Sequence, residues 1–162
     1  MTSTESTGLT ERLTVDLTDP AAQQAVLEVI NAHLGELPSR MGIRFTEIGP
    51  DRLVATMPVE GNRQPLGLLH GGASCVFAET LGSTAAAIHG QRRGRVAVGV
   101  DINATHHRAA RSGTVTGVCT PLYEGGSVTT YAVAISDESG RLVCSARLTC
   151  QLIKSSFASS AE

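Results

Sequence analysis

Apolar residues recur at helical spacing in two stretches of the chain. In the first, Asp19 is an N-cap residue with a proline directly after it, and Gly35 ends the helix. The apolar face of this helix consists of Val26, Leu27, Ile30 and Leu34. The second stretch, 73–88, has no proline, is rich in alanine and follows a pair of glycines. It predicts a longer helix that ends near Gly90.

Six other segments have the composition of β-strands and are separated by turn residues. They are 43–48, 52–59, 95–105, 114–123, 127–136 and 141–153. In the third segment the apolar residues alternate, which predicts that Val96, Val98, Val100 and Ile102 share one face. The order is a helix, two strands, a long helix and four strands, without the alternation of a doubly wound parallel sheet. We therefore expect an α+β fold in which a long central helix packs against a single antiparallel sheet.

The length of 162 residues is that of one domain, and we see no internal repeat. We expect flexible tails at 1–16 and 155–162 and a folded domain at 17–154, because the first tail is rich in Ser and Thr. The net charge of −2 and the lack of a Lys/Arg cluster argue against nucleic acid as a partner. No segment is apolar enough to span a bilayer or to act as a signal peptide, which predicts a cytoplasmic protein without membrane contact.

The long helix carries one acidic residue, Glu79, with Cys75 four residues before it and Ser83 four residues after it on the same face. A carboxylate in an apolar helix needs polar surroundings, because burying it unpaired is costly. The first N–H groups of a helix have no partner within it, and at Gly71 and Gly72 no side chain would keep a ligand oxygen away from them. A donor that polarises a carbonyl and a carboxylate that attacks it or activates water are typical of acyl transfer. A plain core helix is the alternative that this spacing leaves open.

Other reactive residues favour simpler interpretations. The chain has no G-x-S-x-G motif, which disfavours a serine hydrolase, and Cys75 has no histidine at a known activating spacing, so we interpret it as a wall thiol. The remaining cysteines, at 119, 144 and 150, are interpreted as free buried thiols. His106 and His107 are adjacent in a strand and so point to opposite faces, which disfavours a shared metal ion. For His89, near a helix end, a contact with the helix dipole is a sufficient explanation.

The segment 64–83, QPLGLLHGGASCVFAETLGS, resembles the active-site segment of the hotdog-fold acyl-CoA thioesterases. The resemblance is to the branch with the 4-hydroxybenzoyl-CoA thioesterase of the Arthrobacter type and the menaquinone-pathway 1,4-dihydroxy-2-naphthoyl-CoA thioesterases. It extends from about Gly42 to Lys154 and includes the segments 55–59, 102–104 and 140–142. It implies a hotdog fold, in which the antiparallel sheet wraps around the long helix.

The same resemblance implies a role for each matching residue. Glu79 would be the catalytic nucleophile or general base, and the Gly71 N–H would be the oxyanion donor to the thioester carbonyl. Gln64 and His70 would orient the thioester and the departing thiolate, and Ser83 would help to hold the attacking water.

A second set of residues is implied to bind coenzyme A. It consists of Gly99, His106, His107, Arg108, Tyr123, Gly125, Gly126 and Ser127. The three residues 106–108 match the family's segment for the nucleotide phosphates, and 123–128 match its second CoA loop. No metal and no redox cofactor is implied.

The resemblance therefore predicts an acyl-CoA thioester hydrolase that acts on an aromatic acyl-CoA, such as 1,4-dihydroxy-2-naphthoyl-CoA or hydroxybenzoyl-CoA. It implies a homotetramer, as a dimer of dimers, in which Gln64, His70 and Gly71 of one chain meet Glu79 and Ser83 of its neighbour. Two alternatives stay open. A hotdog dehydratase of 3-hydroxyacyl thioesters also pairs a histidine with a helix carboxylate, although its helix usually opens with Pro-Gly. A non-catalytic acyl-CoA-binding module is the other, and an intact Glu79 argues against it.

Overall fold

A computed structural model of the chain describes residues 16–154. Within this range three helices form: α1 Pro20–Ala32, α2 Glu36–Arg40 and α3 Gly71–Gln91. The N-cap predicted for α1 is present, since the Asp19 side chain accepts a hydrogen bond from the Ala21 N–H at 3.0 Å. The sequence pattern had not separated α2 from the loop after α1, because five residues are too few to show a helical period. The predicted tails lie outside the described residues, apart from Asp16.

In the described part of the chain, six strands form one sheet in which every neighbouring pair is antiparallel. They are β1 Arg44–Ile48, β2 Leu53–Pro58, β3 Arg95–His106, β4 Thr114–Glu124, β5 Val128–Ser136 and β6 Leu142–Lys154. Their order across the sheet is β1-β2-β4-β5-β6-β3. The six predicted strands and the α+β class are confirmed.

Helix α3 lies across the sheet and contacts β2 through β6. Phe77 and Leu81 on its buried face have no solvent exposure. Glycine allows the helix to come this close, because a Cβ on Gly82 would lie 2.5 Å from Leu148 Cδ2 and one on Gly117 would lie 2.6 Å from Leu81 Cδ1. The side of α3 that carries Glu79 borders β3 and is only partly buried.

Strand β3 contains a β-bulge that the sequence pattern did not predict. Its pairing with β6 shifts between Gly99 and Asp101, so Val100 has no partner residue. Before the bulge, Ala97 pairs with the buried Leu152, and after it Ile102 pairs with the buried Leu148. The face that turns towards the helix therefore changes from odd to even positions. The prediction that Val96, Val98, Val100 and Ile102 share one face is wrong for this reason.

The two edges of the sheet differ. At the β1 edge, the Asn31 side chain of α1 pairs with the Phe45 backbone, donating to its carbonyl and accepting from its N–H, both at 2.9 Å. At the β3 edge, Val98 and Val100 are 45% and 57% exposed. No helix within the described residues has the length and hydropathy to cross a membrane.

All four cysteines are free, and three of them are buried as predicted. Burial, with Cys150 and Glu124 nearby, raises the pKa of the Cys119 thiol to about 12. Burial and the negative charge of Glu79 raise the pKa of Cys150 to about 11. Cys75 is partly exposed and lies on the outer face of α3.

Candidate active site

A cleft of about 660 Å³ runs along the outer face of α3, between the α1–α2 segment and β3. Its volume is in the range of small-molecule binding sites. The lining residues are Leu34, Leu37, Pro38, Cys75, Val76, Glu79, Thr80, Ser83, Thr84, Ala87, Ala97 and Ile102. The helical spacing thus brings Cys75, Glu79 and Ser83 to one surface, as the sequence predicted.

The Glu79 carboxylate is held at two points. The Ser83 hydroxyl donates a hydrogen bond to Glu79 Oε1 at 3.0 Å. On the other side Gly99 of β3 lies against the carboxylate, so closely that a Cβ at this position would collide with Oε1. Gly99 directly precedes the bulge at Val100, so the irregularity of β3 occurs where the strand meets the one acidic side chain of α3.

The cleft wall is less polar than its sequence suggests. The Thr80 hydroxyl donates to the Val76 carbonyl and the Thr84 hydroxyl donates to the Thr80 carbonyl, both at 2.8 Å. Because these hydroxyls are bonded one turn back along the helix, the two threonines contribute little free polarity to the cleft. Leu34, Leu37 and Pro38 add an apolar wall opposite them. Sequence analysis missed this wall, since nothing in the pattern showed that α2 folds back against α3.

The start of α3 differs from the prediction. The helix begins at Gly71 rather than at residue 73, and His70 is its N-cap. The His70 Nδ1 atom accepts a hydrogen bond from the Gly72 N–H at 2.8 Å, so this N–H is not available to a ligand as we had expected. No residue among 16–154 accepts a hydrogen bond from the Gly71 N–H, which is left as a donor at the positive end of the helix. In the neutral ring, an accepting Nδ1 leaves the proton of His70 on Nε2.

Gln64 shapes the loop before the helix. Its side-chain oxygen accepts from the Leu66 N–H, its carbonyl accepts from the Gly67 N–H and its own N–H donates to the Leu68 carbonyl. Gly67 has a φ of +74°, a value that favours glycine and closes this turn. The side-chain NH₂ of Gln64 has no acceptor among residues 16–154 and can donate to a ligand.

The side chains of His106, His107 and Arg108, which follow the bulge, have different surroundings. A Cβ on Gly71 would lie 2.8 Å from His106 Nε2, so the His106 imidazole lies directly against the start of α3. His107 Nε2 is 2.8 Å from the Ser145 hydroxyl of β6. The two rings therefore have different neighbours, although His107 lies just beyond the end of β3 and not within the strand. The exposed Arg108 guanidinium has no ion-pair partner in the described part of the chain.

Within one chain the two halves of the site are far apart. Glu79 follows Gly71 by eight residues, which corresponds to about 12 Å along a helix. One carbonyl group cannot be reached from both positions. The second predicted CoA segment consists of the end of β4 and the β4–β5 turn, and in it Tyr123 of β4 is 61% exposed with its ring against Gly125 of the turn.

Three comparisons with known proteins show the family to which the chain belongs. Residues 66–144 match the family model described as the thioesterase superfamily. The chain is 47% identical to the 1,4-dihydroxy-2-naphthoyl-CoA hydrolase of Escherichia coli K12, over 81% of this chain and 97% of that protein. The chain belongs to the thioesterase superfamily.

Other members of the superfamily are similar over most of their length. The proofreading thioesterase EntH of Cronobacter turicensis is 48% identical, over 76% of this chain and 90% of that protein. The crystal structure of thioesterase HI1161 from Haemophilus influenzae superposes with a TM-score of 0.73 at 39% identity and covers 79% of this chain and 90% of that one. The expected hotdog fold and the expected thioester hydrolase activity are both confirmed by these similarities.

Proposed function

We propose that the chain hydrolyses an aromatic acyl-CoA to the free acid and coenzyme A, with Glu79 as the catalytic carboxylate. The observation that carries this proposal is the carboxylate itself, fixed by Ser83 and Gly99 at the side of a largely apolar cleft. An acyl group can enter such a cleft while its thioester carbon lies beside the carboxylate.

The acyl preference rests on the shape of the cleft and on the relatives. Thr80, Thr84, Ala87 and Ala97 are small, which leaves room in the cleft for a flat ring system. The name of the Escherichia coli relative specifies a 1,4-dihydroxy-2-naphthoyl-CoA substrate. Either 1,4-dihydroxy-2-naphthoyl-CoA or a hydroxybenzoyl-CoA fits this reasoning. A role in menaquinone biosynthesis is implied by the resemblance, and a cytoplasmic location is expected from the hydropathy of the sequence; both stay predictions.

Hydrolysis of a thioester needs few catalytic groups because a thiolate is a good leaving group. The Gly71 N–H would donate to the thioester oxygen as negative charge develops there, aided by the helix dipole. His70 Nε2–H and the Gln64 amide would orient the thioester and the departing sulfur. Glu79 would either take a proton from the attacking water or attack the carbonyl carbon to form an anhydride, which water then opens. In both routes water is consumed, and the acid and coenzyme A are released.

The separation of about 12 Å between Gly71 and Glu79 along one helix supports a site shared by two chains. Strand β3 has eleven cross-strand pairs with β6 on one side, and exposed valines mark its free edge. A long edge strand with apolar side chains is prone to pair with another strand, whereas Asn31 occupies part of the β1 edge. We therefore propose a two-fold dimer through β3 that brings Gly71 of one chain to Glu79 of the other, with two such dimers forming a tetramer.

The function is tested by measuring thiol release from benzoyl-, 1,4-dihydroxy-2-naphthoyl-, phenylacetyl- and fatty acyl-CoA, with Glu79→Gln as the control. We expect turnover of the aromatic esters and its loss in the control. Formation of an enoyl product from a 3-hydroxyacyl-CoA without thiol release would favour the dehydratase instead. Binding without any turnover would favour the acyl-CoA-binding module.

The shared site is tested by mixing inactive Gln64→Ala and Glu79→Ala chains under conditions that allow exchange. In a mixed dimer, one site carries both substitutions and the other carries neither. Random exchange makes half of the dimers mixed, each with one intact site of two, so activity should recover to about a quarter of wild type. Mixed dimers that are confirmed by mass but inactive would contradict the model.

A further inference from the structure

A second polar cluster lies at the C-terminal end of α3, away from the Glu79 cleft. It consists of His89, Glu124 and Tyr131, which we call the His89 cluster. His89 is 7% exposed and Tyr131 is 1% exposed. The Tyr131 hydroxyl donates to Glu124 Oε1 at 2.7 Å, and His89 Nδ1 is 3.3 Å from Glu124 Oε2. The dipole contact proposed for His89 from the sequence does not account for a buried ring with these partners.

The other ring nitrogen of His89 defines its role. His89 Nε2 is 3.0 Å from the carbonyl oxygen of Gly125. A carbonyl can only accept, so Nε2 carries a proton in either charge state of the ring. On Nδ1, a neutral ring accepts from Arg93 at 3.2 Å, and a protonated ring donates to Glu124. In both states His89 donates to Gly125.

Gly125 begins the β4–β5 turn, residues 125–127, which is fixed at both ends. The Gly125 N–H donates to the Val128 carbonyl at 3.0 Å, and the Ser127 carbonyl accepts from the Leu152 N–H of β6 at 2.7 Å. The N–H groups of Gly126 and Ser127 have no acceptor among residues 16–154, and both residues are exposed. The turn therefore presents two backbone donors to solvent while the carbonyls of Gly125 and Ser127 are bound inward, an arrangement suited to an anion.

We propose that His89 is a positioning residue that holds the β4–β5 turn in the conformation that binds the phosphates of coenzyme A. The inference rests on the proposed function and on the coenzyme A contact that the family resemblance implies for this turn, and it adds the residue that fixes the turn. The His89 side chain links the turn to α3 through the Gly125 carbonyl, and α3 also carries Glu79. Loss of its hydrogen bond would let the turn move without altering the thioester end of the site.

The chain offers a matched pair of substitutions at this position. In His89→Gln, the longer amide can reach the Gly125 carbonyl, whereas in His89→Asn the amide is too short. We expect His89→Asn to raise KM for an aromatic acyl-CoA about five- to tenfold, the effect of losing one buried hydrogen bond, with kcat retained. His89→Gln should restore KM to near the wild-type value. His89→Leu provides the same comparison if the asparagine variant folds poorly, and thermal unfolding checks each protein.

A second substrate separates positioning from general damage. The N-acetylcysteamine thioester of the same acyl group lacks the nucleotide and its phosphates, so its KM should be the same in all variants. A KM that rises equally for both substrates, or a glutamine variant as poor as the asparagine variant, would overturn the proposal. The dissociation constant of free coenzyme A, measured by calorimetry, should rise in His89→Asn by the same factor, and an unchanged value would also overturn it. If wild type releases no thiol from any ester yet binds coenzyme A with this dependence on His89, the proposed function fails and the role of His89 stands.

Discussion

Adding one methyl group at Gly99 should impair catalysis with little effect on folding. Nonbonded heavy atoms rest about 3.5 Å apart, and the Cβ of Gly99→Ala would come much closer than that to Glu79 Oε1. The carboxylate would have to move by about 1 Å and would lose its 3.0 Å hydrogen bond from Ser83. A misplacement of this size can cost about 10²-fold in rate, so we expect kcat to fall by about that factor.

Folding should tolerate this substitution for two reasons. Gly99 is not among the glycines with positive φ, so alanine can adopt its backbone conformation. The atom that must yield is the end of a flexible side chain. Alanine also lowers the conformational entropy of the unfolded chain, which raises the free energy of unfolding by about 0.4–1 kcal/mol. The free energy of unfolding should therefore change by less than about 1 kcal/mol.

The assay is steady-state thiol release together with thermal unfolding, measured also in the Glu79→Gln background. If Gly99→Ala acts through the carboxylate, it should have little further effect once that charge is removed, which a double-mutant cycle measures. A Gly99→Ala enzyme with wild-type kcat would refute the reasoning. A rise in KM at unchanged kcat would instead support the contact between Gly99 and coenzyme A that the family resemblance implies.

Three other predictions follow from the same structure. Glu79→Gln should lower kcat by ~10²–10⁴-fold while coenzyme A affinity survives, and near-normal turnover would remove Glu79 from the mechanism. Arg108→Ala should raise KM and leave kcat near the wild-type value. The KM of the variant should depend less on salt concentration than that of wild type, and an equal dependence would count against a phosphate contact. In native protein at pH 8, iodoacetamide should label Cys75 before Cys119 and Cys150, whose pKa values are raised to about 12 and about 11, as peptide mass spectrometry would show.

Local patterns in the sequence were sufficient for much of the fold and for part of the site. The i, i+4 spacing placed Ser83 next to Glu79, and the 3.0 Å hydrogen bond between them agrees with it. Turn residues separated the six strands correctly, because glycine and proline act within a few positions of where they stand. Resemblance to the family added Gln64 and His70, for which the spacing had given no role.

Two other features, the N-cap role of His70 and the partners of His89, were not predictable in this way. The His70 side chain caps α3 by accepting a hydrogen bond from the Gly72 N–H, and it leaves the Gly71 N–H without an acceptor among the described residues. The sequence did not predict this cap because histidine is not a usual N-cap residue. His89 looked like an ordinary helix-end residue because its partners, Glu124 and Gly125, follow more than thirty positions later. No periodicity within one element carries such information.

The bulge in β3 explains why the cleft has its shape. In a regular strand, every second residue from Ala97 onward would face the helix, and Val100 would not interrupt the pairing. Gly99 faces the helix as Ala97 does, and the bulge that follows it turns Ile102 rather than Asp101 towards α3, so the smallest residue lies against the Glu79 carboxylate and a large apolar residue lines the cleft beyond it. Bulges are frequent next to active sites because one inserted residue redirects the side chains on both sides of it. The apolar alternation of β3 is thus interrupted next to Glu79, the proposed catalytic carboxylate.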